Sequence, residues 1–171
     1  MSLISTSLPD VQLRLAQATD VPVILSFIRQ LAEYEKLSHQ VVATEQSLTD
    51  TLFGAKAYAE VVIAEHQGQP AGFALFFHNY STFLAKPGLY LEDLFVAPDK
   101  RGLGLGKALI TYLARLAVER DCGRMEWSVL DWNQPAIDFY QSLGASMLDD
   151  WRINRVTGDS LMQMAALFPK A

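Results

Sequence analysis

Apolar and polar side chains alternate from Val11 to Leu15, with Val11, Leu13 and Leu15 set against Gln12 and Arg14, the period of a strand with one covered face. The period then lengthens. Ile24, Leu25, Phe27, Ile28, Leu31 and Ala32 recur on one helical face, and Asp20 offers an N-cap oxygen ahead of Pro22, so a helix is predicted to about Lys36. Thr44 is placed to cap a second, shorter helix through Leu52, ended by Gly54. Two apolar runs follow, Val61-Val62-Ile63-Ala64 and Phe73-Ala74-Leu75-Phe76-Phe77. Gln67-Gly68-Gln69-Pro70 divides them, which is a hairpin signal. Asn79 to Gly88 is predicted as a loop and Tyr90 to Val96 as a further long strand. Ala108, Leu109, Tyr112, Leu113, Leu116 and Ala117 make the buried face of a helix from Lys107 to Arg120, which Gly123 ends. Met125 to Leu130 is strand-like, Gln134 to Ser142 helical with Pro135 near its start, and Leu161 to Ala165 a final strand.

Strands interspersed with helices, without repeats or linkers, predict an α/β domain with a mixed sheet, helices on its faces and a ligand loop at the carboxyl end of a strand. At 171 residues and 50% hydrophobic content the chain fits a single domain, residues 1–171, with its core over about 11–166. A net charge of -5 and the lack of any basic run speak against nucleic acid or an anionic membrane as partner and favour cationic partners. Cys122 is the only cysteine, so the chain can form neither an internal disulfide nor a cysteine metal cluster, and Cys122 is expected to be structural. His39, His66 and His78 lack metal-ligand spacing, and no metal is expected. Met1 to Asp10 carries no basic side chain, unlike a secretory signal, and no apolar run approaches the roughly 18 residues of a spanning helix. These features predict a cytoplasmic protein.

Residues 101 to 106 read Arg-Gly-Leu-Gly-Leu-Gly. Glycine at every second position, after an apolar strand and before an amphipathic helix, lets backbone N–H groups converge on an anion at a helix N-terminus. A Walker A loop would need glycine where Arg101 stands and a hydroxyl residue where Ala108 stands. A dinucleotide fingerprint would need its third glycine at Lys107 or Leu109. What remains, at Arg101, Gly104 and Gly106, resembles the [Gln/Arg]-x-x-Gly-x-[Gly/Ala] pyrophosphate loop of the GNAT acetyltransferases.

Three further segments carry the same resemblance: Leu91-Glu92-Asp93-Leu94-Phe95-Val96, Trp132-Asn133-Gln134-Pro135-Ala136, and Phe139-Tyr140-Gln141-Ser142-Leu143-Gly144-Ala145. Within that superfamily the chain is similar to the diamine acetyltransferases, including the branch that acts on thialysine, through Leu31-Ala32 with Tyr34-Glu35, Tyr90 to Asp93, and Trp151-Arg152. The resemblance implies the acyl-CoA N-acyltransferase fold, a twisted and mostly antiparallel central sheet with helices on both faces. It implies acetyl-CoA as cosubstrate and a homodimer. Cofactor contacts are implied at Leu94, Phe95, Val96, Arg101, Gly102, Leu103, Gly104, Leu105, Gly106, Lys107, Asn133, Pro135, Ala136 and Tyr140. Substrate contacts are implied at Tyr34, Glu35, Glu92, Asp93, Asp149 and Asp150. Tyr80 to Lys86 lacks the tryptophan expected of a diamine enzyme, and Asp149-Asp150 replaces the usual glutamates and glycine, which leaves the identity of the amine open.

The residues suit the chemistry on their own terms. Acetyl transfer to an amine needs a proton acceptor for the ammonium, a donor for the developing oxyanion and an acid for the leaving thiolate. Glu92 is expected as the acceptor, a backbone N–H at Leu94 or Phe95 as the oxyanion donor, and Tyr140, a phenol of ordinary pKa near 10, as the acid. The expected substrate is a small diamine, polyamine or basic amino acid. A protein lysine or N-terminus is the alternative acceptor, and a non-catalytic CoA-binding regulatory domain the alternative role.

Overall fold

The computed structural model describes residues 3–169. It divides into two compact units, one through Ser128 and one from Val129 on. The first unit carries a six-stranded sheet in sequential order: β1 (Leu3–Ser5), β2 (Val11–Leu15), β3 (Glu60–His66), β4 (Gln69–Ser81), β5 (Lys86–Val96) and β6 (Arg124–Trp127). Every neighbouring pair is antiparallel except β5 with β6. Its helices are α1 (Val21–Tyr34), α2 (Glu45–Leu52) and α3 (Leu105–Glu119). The second unit carries α4 (Gln134–Ser142) and α5 (Gly158–Ala166).

The run Val61 to Ala64 is apolar without alternation because both faces of β3 are covered. Val61, Ile63, Phe73 and Phe95 pack with Ile24, Leu25 and Phe27 of α1 and Leu48 and Leu52 of α2. The Phe27 ring lies 5.7 Å from that of Phe73 and 5.5 Å from that of Phe95. Alternation turns Val62, Ala64, Ala74 and Phe76 the other way. On that face α3, which contacts β3, β4 and β5, buries Leu105, Leu109, Leu113 and Leu116.

Several expectations hold in kind and shift in extent. Gln67 and Gly68, both at positive φ, make the two-residue turn of the β3–β4 hairpin. Thr44 accepts the Ser47 N–H, as a cap of α2 should. Met125 to Leu130 shortens to β6, and the long helix begins earlier, at Leu105.

Other expectations fail. The segment Asn79 to Gly88 is not a loop: Asn79 pairs with Gly88 and Ser81 with Lys86, leaving a turn of residues 82–85. Gly88, which read as a loop signal, lets β5 approach β4, since a Cβ there would collide with the Asn79 side chain. Asp20 does not cap α1. It closes a short 3₁₀ turn, accepts the Gln17 N–H at 2.7 Å and takes Arg14 in a two-pronged pair at 2.7 and 2.8 Å, while Arg14 also donates to Glu65 at 2.6 Å. A guanidinium this enclosed needs its charge answered on the spot. Leu161 to Ala165 is helical, within α5, because its leucine, methionines and alanine favour helix and no β-branched residue supports a strand. The strand β1 goes unpredicted, since its pattern is too short to register against the polar residues that follow it.

Candidate active site

The glycine loop leaves β5 at Val96, passes a 3₁₀ turn at Pro98–Lys100 and enters α3. Gly104 is the N-cap of α3 with φ +85°, a left-handed conformation that suits glycine. Its carbonyl accepts the Ala108 N–H at 2.9 Å, the first bond of the helix. Among the described residues the N–H groups of Leu105, Gly106 and Lys107 have no backbone acceptor, so the helix opens on donors left for a ligand. A Cβ on Gly102 would meet nothing within 4 Å, whereas one on Gly104 would press on Leu8 at 3.1 and 3.2 Å. The loop therefore rests on the segment ahead of β2, a contact that its own sequence does not announce.

Replacing Gly104 by valine should therefore act through two routes. A β-branched residue at this φ strains the cradle, and Leu8 must move. Acetyl-CoA affinity, titrated on the folded variant, should weaken by roughly 2 kcal/mol, the size of a lost charge-assisted hydrogen bond. Unchanged affinity would remove the loop from the cofactor site.

The strand feeding the loop is bulged. Leu75 pairs with Asp93 and Phe76 with Leu91, so Glu92 is the extra residue. Parallel pairing with β6 stops at Leu91 opposite Trp127, and β5 runs on from Glu92 to Val96 without a partner from β6. Its backbone groups on that side are left for something other than sheet, which is where an oxyanion donor at Leu94 or Phe95 was expected. The Phe95 side chain is in the core, so that residue has only its backbone to give; Leu94 and Val96 are half-buried. Nothing in the sequence marks the bulge, since neither glycine nor proline stands there.

The bulge also sets two adjacent carboxylates in different surroundings. Glu92 is exposed and Asp93 half-buried. Burial, then the negative charges of Glu92 and Glu35, push the Asp93 carboxyl up to about 6. Burial raises Glu35 as well, where it caps the end of α1. The Asp93 carboxylate thus feels two others, one beside it on β5 and one at the end of α1, an arrangement that favours a cationic ligand. Tyr34, one residue earlier, has its ring under the Arg101 guanidinium, 5.0 Å from centroid to Cζ. The structure therefore places Tyr34 beside the anion loop and Glu35 beside the acidic cluster.

Asn133, Pro135, Ala136, Tyr140, Asp149 and Asp150 lie in the second unit. The Asn133 side chain caps α4 by accepting the Ala136 N–H, and Pro135 occupies its first turn. At the other end the Ala145 N–H bonds the Tyr140 carbonyl at 3.1 Å and the Gly144 N–H bonds that of Gln141 at 2.9 Å, with Gly144 at φ +93°. That is a Schellman cap. It explains the interval from Tyr140 to Gly144-Ala145 as helix-ending geometry, with the tyrosine supplying the acceptor. Asp149 and Asp150 are exposed. Among the described residues no group of three metal-ligating side chains converges, and no helix is long and apolar enough to cross a membrane.

The chain is similar to known acetyltransferases. The chain is 36% identical to an L-ornithine N5-acetyltransferase of Arabidopsis thaliana, over 91% of this chain and 88% of that one. It is also 36% identical to the thialysine N-epsilon-acetyltransferase of Bos taurus, over 91% and 97%. Among solved structures, an integron cassette protein from V. cholerae superposes with a TM-score of 0.77 at 26% identity, covering 91% of this chain and 98% of that one. An aminoglycoside acetyltransferase from a soil metagenome has the same fold, with a TM-score of 0.72 at 19% identity over 86% and 96%. The family described as Acetyltransferase (GNAT), whose members use acetyl-CoA as cosubstrate, matches residues 28–145, across the cradle, the bulged strand and α4. With the anion cradle, the bulged strand and the tyrosine-bearing helix all within that match, the chain belongs to the GNAT family and is an N-acetyltransferase.

Proposed function

We propose that this enzyme moves the acetyl group of acetyl-CoA to a primary amine of a small dicationic substrate, a diamine, a polyamine or a basic amino acid of the thialysine, lysine or ornithine kind. The observation that carries the substrate class is the Asp93 carboxyl, which burial first and then the negative charges of Glu92 and Glu35 push up to about 6. A substrate with two positive charges relieves that repulsion, while a neutral acceptor gains nothing from it. The names of the relatives at 34–36% identity, an ornithine, a thialysine and a spermidine/spermine-like acetyltransferase, support the same class, while more distant relatives at 27% identity are named tyramine N-feruloyltransferases.

In the mechanism that fits these residues, Glu92 on the bulge receives the ammonium and takes its proton. The freed nitrogen attacks the acetyl carbonyl carbon, and the oxygen gains charge against a backbone N–H at Leu94 or Phe95. The carbon–sulfur bond then breaks as the nitrogen releases its second proton to solvent, and the Tyr140 hydroxyl gives its proton to the CoA thiolate. Solvent returns a proton to Tyr140 and removes one from Glu92. The cradle from Arg101 to Lys107 holds the pyrophosphate, with Asn133, Pro135 and Ala136 beside the cofactor. Glu35 takes the second cation, with Tyr34 at its flank, and Asp93, Asp149 and Asp150 complete the acidic lining. The family match runs through the boundary between the two units, which supports one catalytic domain over residues 1–171. A homodimer in the cytoplasm is the state that accompanies this reading.

An amine panel, followed by release of the CoA thiol, tests it. A diamine, thialysine and lysine should be used roughly tenfold to a hundredfold better, in kcat/KM, than an alkyl monoamine of equal length, the value of one partly desolvated charge contact. Glu35→Gln should shrink that preference. Equal use of the monoamine, or a preference untouched by Glu35→Gln, removes the dication reading and directs the search to protein amines.

A further inference from the structure

Arg101 opens the anion cradle, and its side chain is held from two sides. Its Nε donates to the Val96 carbonyl at the end of β5, 3.3 Å away, and its guanidinium lies over the Tyr34 ring at 5.0 Å. Among the described residues no carboxylate forms an ion pair with it, although the chain is acidic and Glu35 is the very next residue to Tyr34. A guanidinium has five N–H donors in a fixed plane. With Nε engaged by Val96, both amino groups remain, and an aromatic face orients the plane without consuming any of them. A carboxylate in the same place would compete with a phosphate for those donors, whereas the ring does not.

We propose that Tyr34 is a positioning residue for cofactor binding: its ring, at the last turn of α1, holds the Arg101 guanidinium ready for the pyrophosphate of acetyl-CoA. The proposal rests on the cradle reading given above. It gives the end of α1 a double role, with Tyr34 serving the cofactor through Arg101 and the adjacent Glu35 serving the amine. An arginine on a flexible stem must otherwise be ordered when the ligand arrives, and ordering it beforehand tightens binding without a new contact to the ligand.

The test measures binding of two thioesters without amine present: acetyl-CoA, and acetyl-pantetheine, which carries the same acyl arm without the phosphates. Wild type should prefer acetyl-CoA. Tyr34→Leu should cut that preference about threefold to tenfold, the range of a cation–π contact between exposed and partly desolvated settings. Tyr34→Phe, which keeps the ring, should restore it. Arg101→Gln should cut it as well, and the double variant should lose no more than Arg101→Gln alone, since the ring acts through the arginine. Should Tyr34→Leu fold poorly, Arg101→Lys answers the same question, because it retains the charge and loses the flat face; it too should lose preference. A preference unchanged in Tyr34→Leu, Tyr34→Phe as damaging as Tyr34→Leu, additive losses in the double variant, or full preference in Arg101→Lys would each overturn the proposal while leaving the cradle in place. A wild type that does not distinguish the two thioesters overturns the cradle reading itself and the proposal with it.

Discussion

Tyr140→Phe should lower kcat for acetyl transfer by about 10² to 10⁴, the range that a positioned general acid supplies. The substitution removes one hydroxyl and leaves the ring, and the backbone groups that end α4 are untouched: the Tyr140 carbonyl still accepts the Ala145 N–H. The fold should survive, and the melting temperature of the variant checks that. KM for both substrates should change less than kcat, because a leaving thiolate needs its proton only as the carbon–sulfur bond breaks. A wild-type rate in the variant across pH would mean that the thiolate departs unaided and would end the assignment.

Asp93→Asn should make the enzyme worse and the fold more stable. The Asp93 carboxyl sits at about 6 in the folded chain against 3.8 ordinarily, with burial as the main cause and Glu92 and Glu35 adding to it. Below the lower value it is protonated in both folded and unfolded chains and contributes no difference. As pH rises from there to about 6 the unfolded chain gives up its proton first and stability falls; above about 6 the full penalty applies, about 3 kcal/mol for a shift of roughly two units. Asparagine removes that penalty. Relative to wild type, the variant should gain up to about 3 kcal/mol in denaturant unfolding near pH 8 and gain almost nothing near pH 4. The Asp20 carboxylate, held low by Arg14, pulls the other way in both proteins and cancels in the comparison. Activity should move oppositely, with kcat/KM for a diamine falling roughly tenfold to a hundredfold for want of one charge. In wild type the same quantity should decline as pH drops below about 6 and Asp93 takes up its proton. A variant that is no more stable at high pH would place Asp93 in a more solvated setting than the bulge gives it.

The glycine loop is legible in sequence because its requirement is local: glycine at left-handed φ, and donors exposed where a helix begins. The same holds for Thr44 as a cap and for Gln67-Gly68 as a turn. Asp20 misleads for the opposite reason. It has the composition of an N-cap and is claimed instead by Arg14, six residues earlier on a strand, a contest that only tertiary structure decides. Pro87 and Gly88 read as loop and lie in β5, since proline stands just short of the β6 pairing and glycine relieves a crowded cross-strand contact. Glu92 and Asp93 were recognisable as acids, but their separation into one exposed and one half-buried group depends on a bulge with no sequence mark. Tyr34 could be found from its neighbours in sequence; its stacking on Arg101 could not, because β3, β4 and β5 lie between the two in the chain.

Helix α4 is closed at one end by the Asn133 side chain and at the other by the Schellman bonds around Gly144, so its length is written into the chain at both ends. An insertion or deletion between those stops would turn the tyrosine about the helix axis by about 100° for each residue gained or lost. A change of length outside Asn133 and Ala145, by contrast, leaves the direction of the Tyr140 phenol on its helix unchanged.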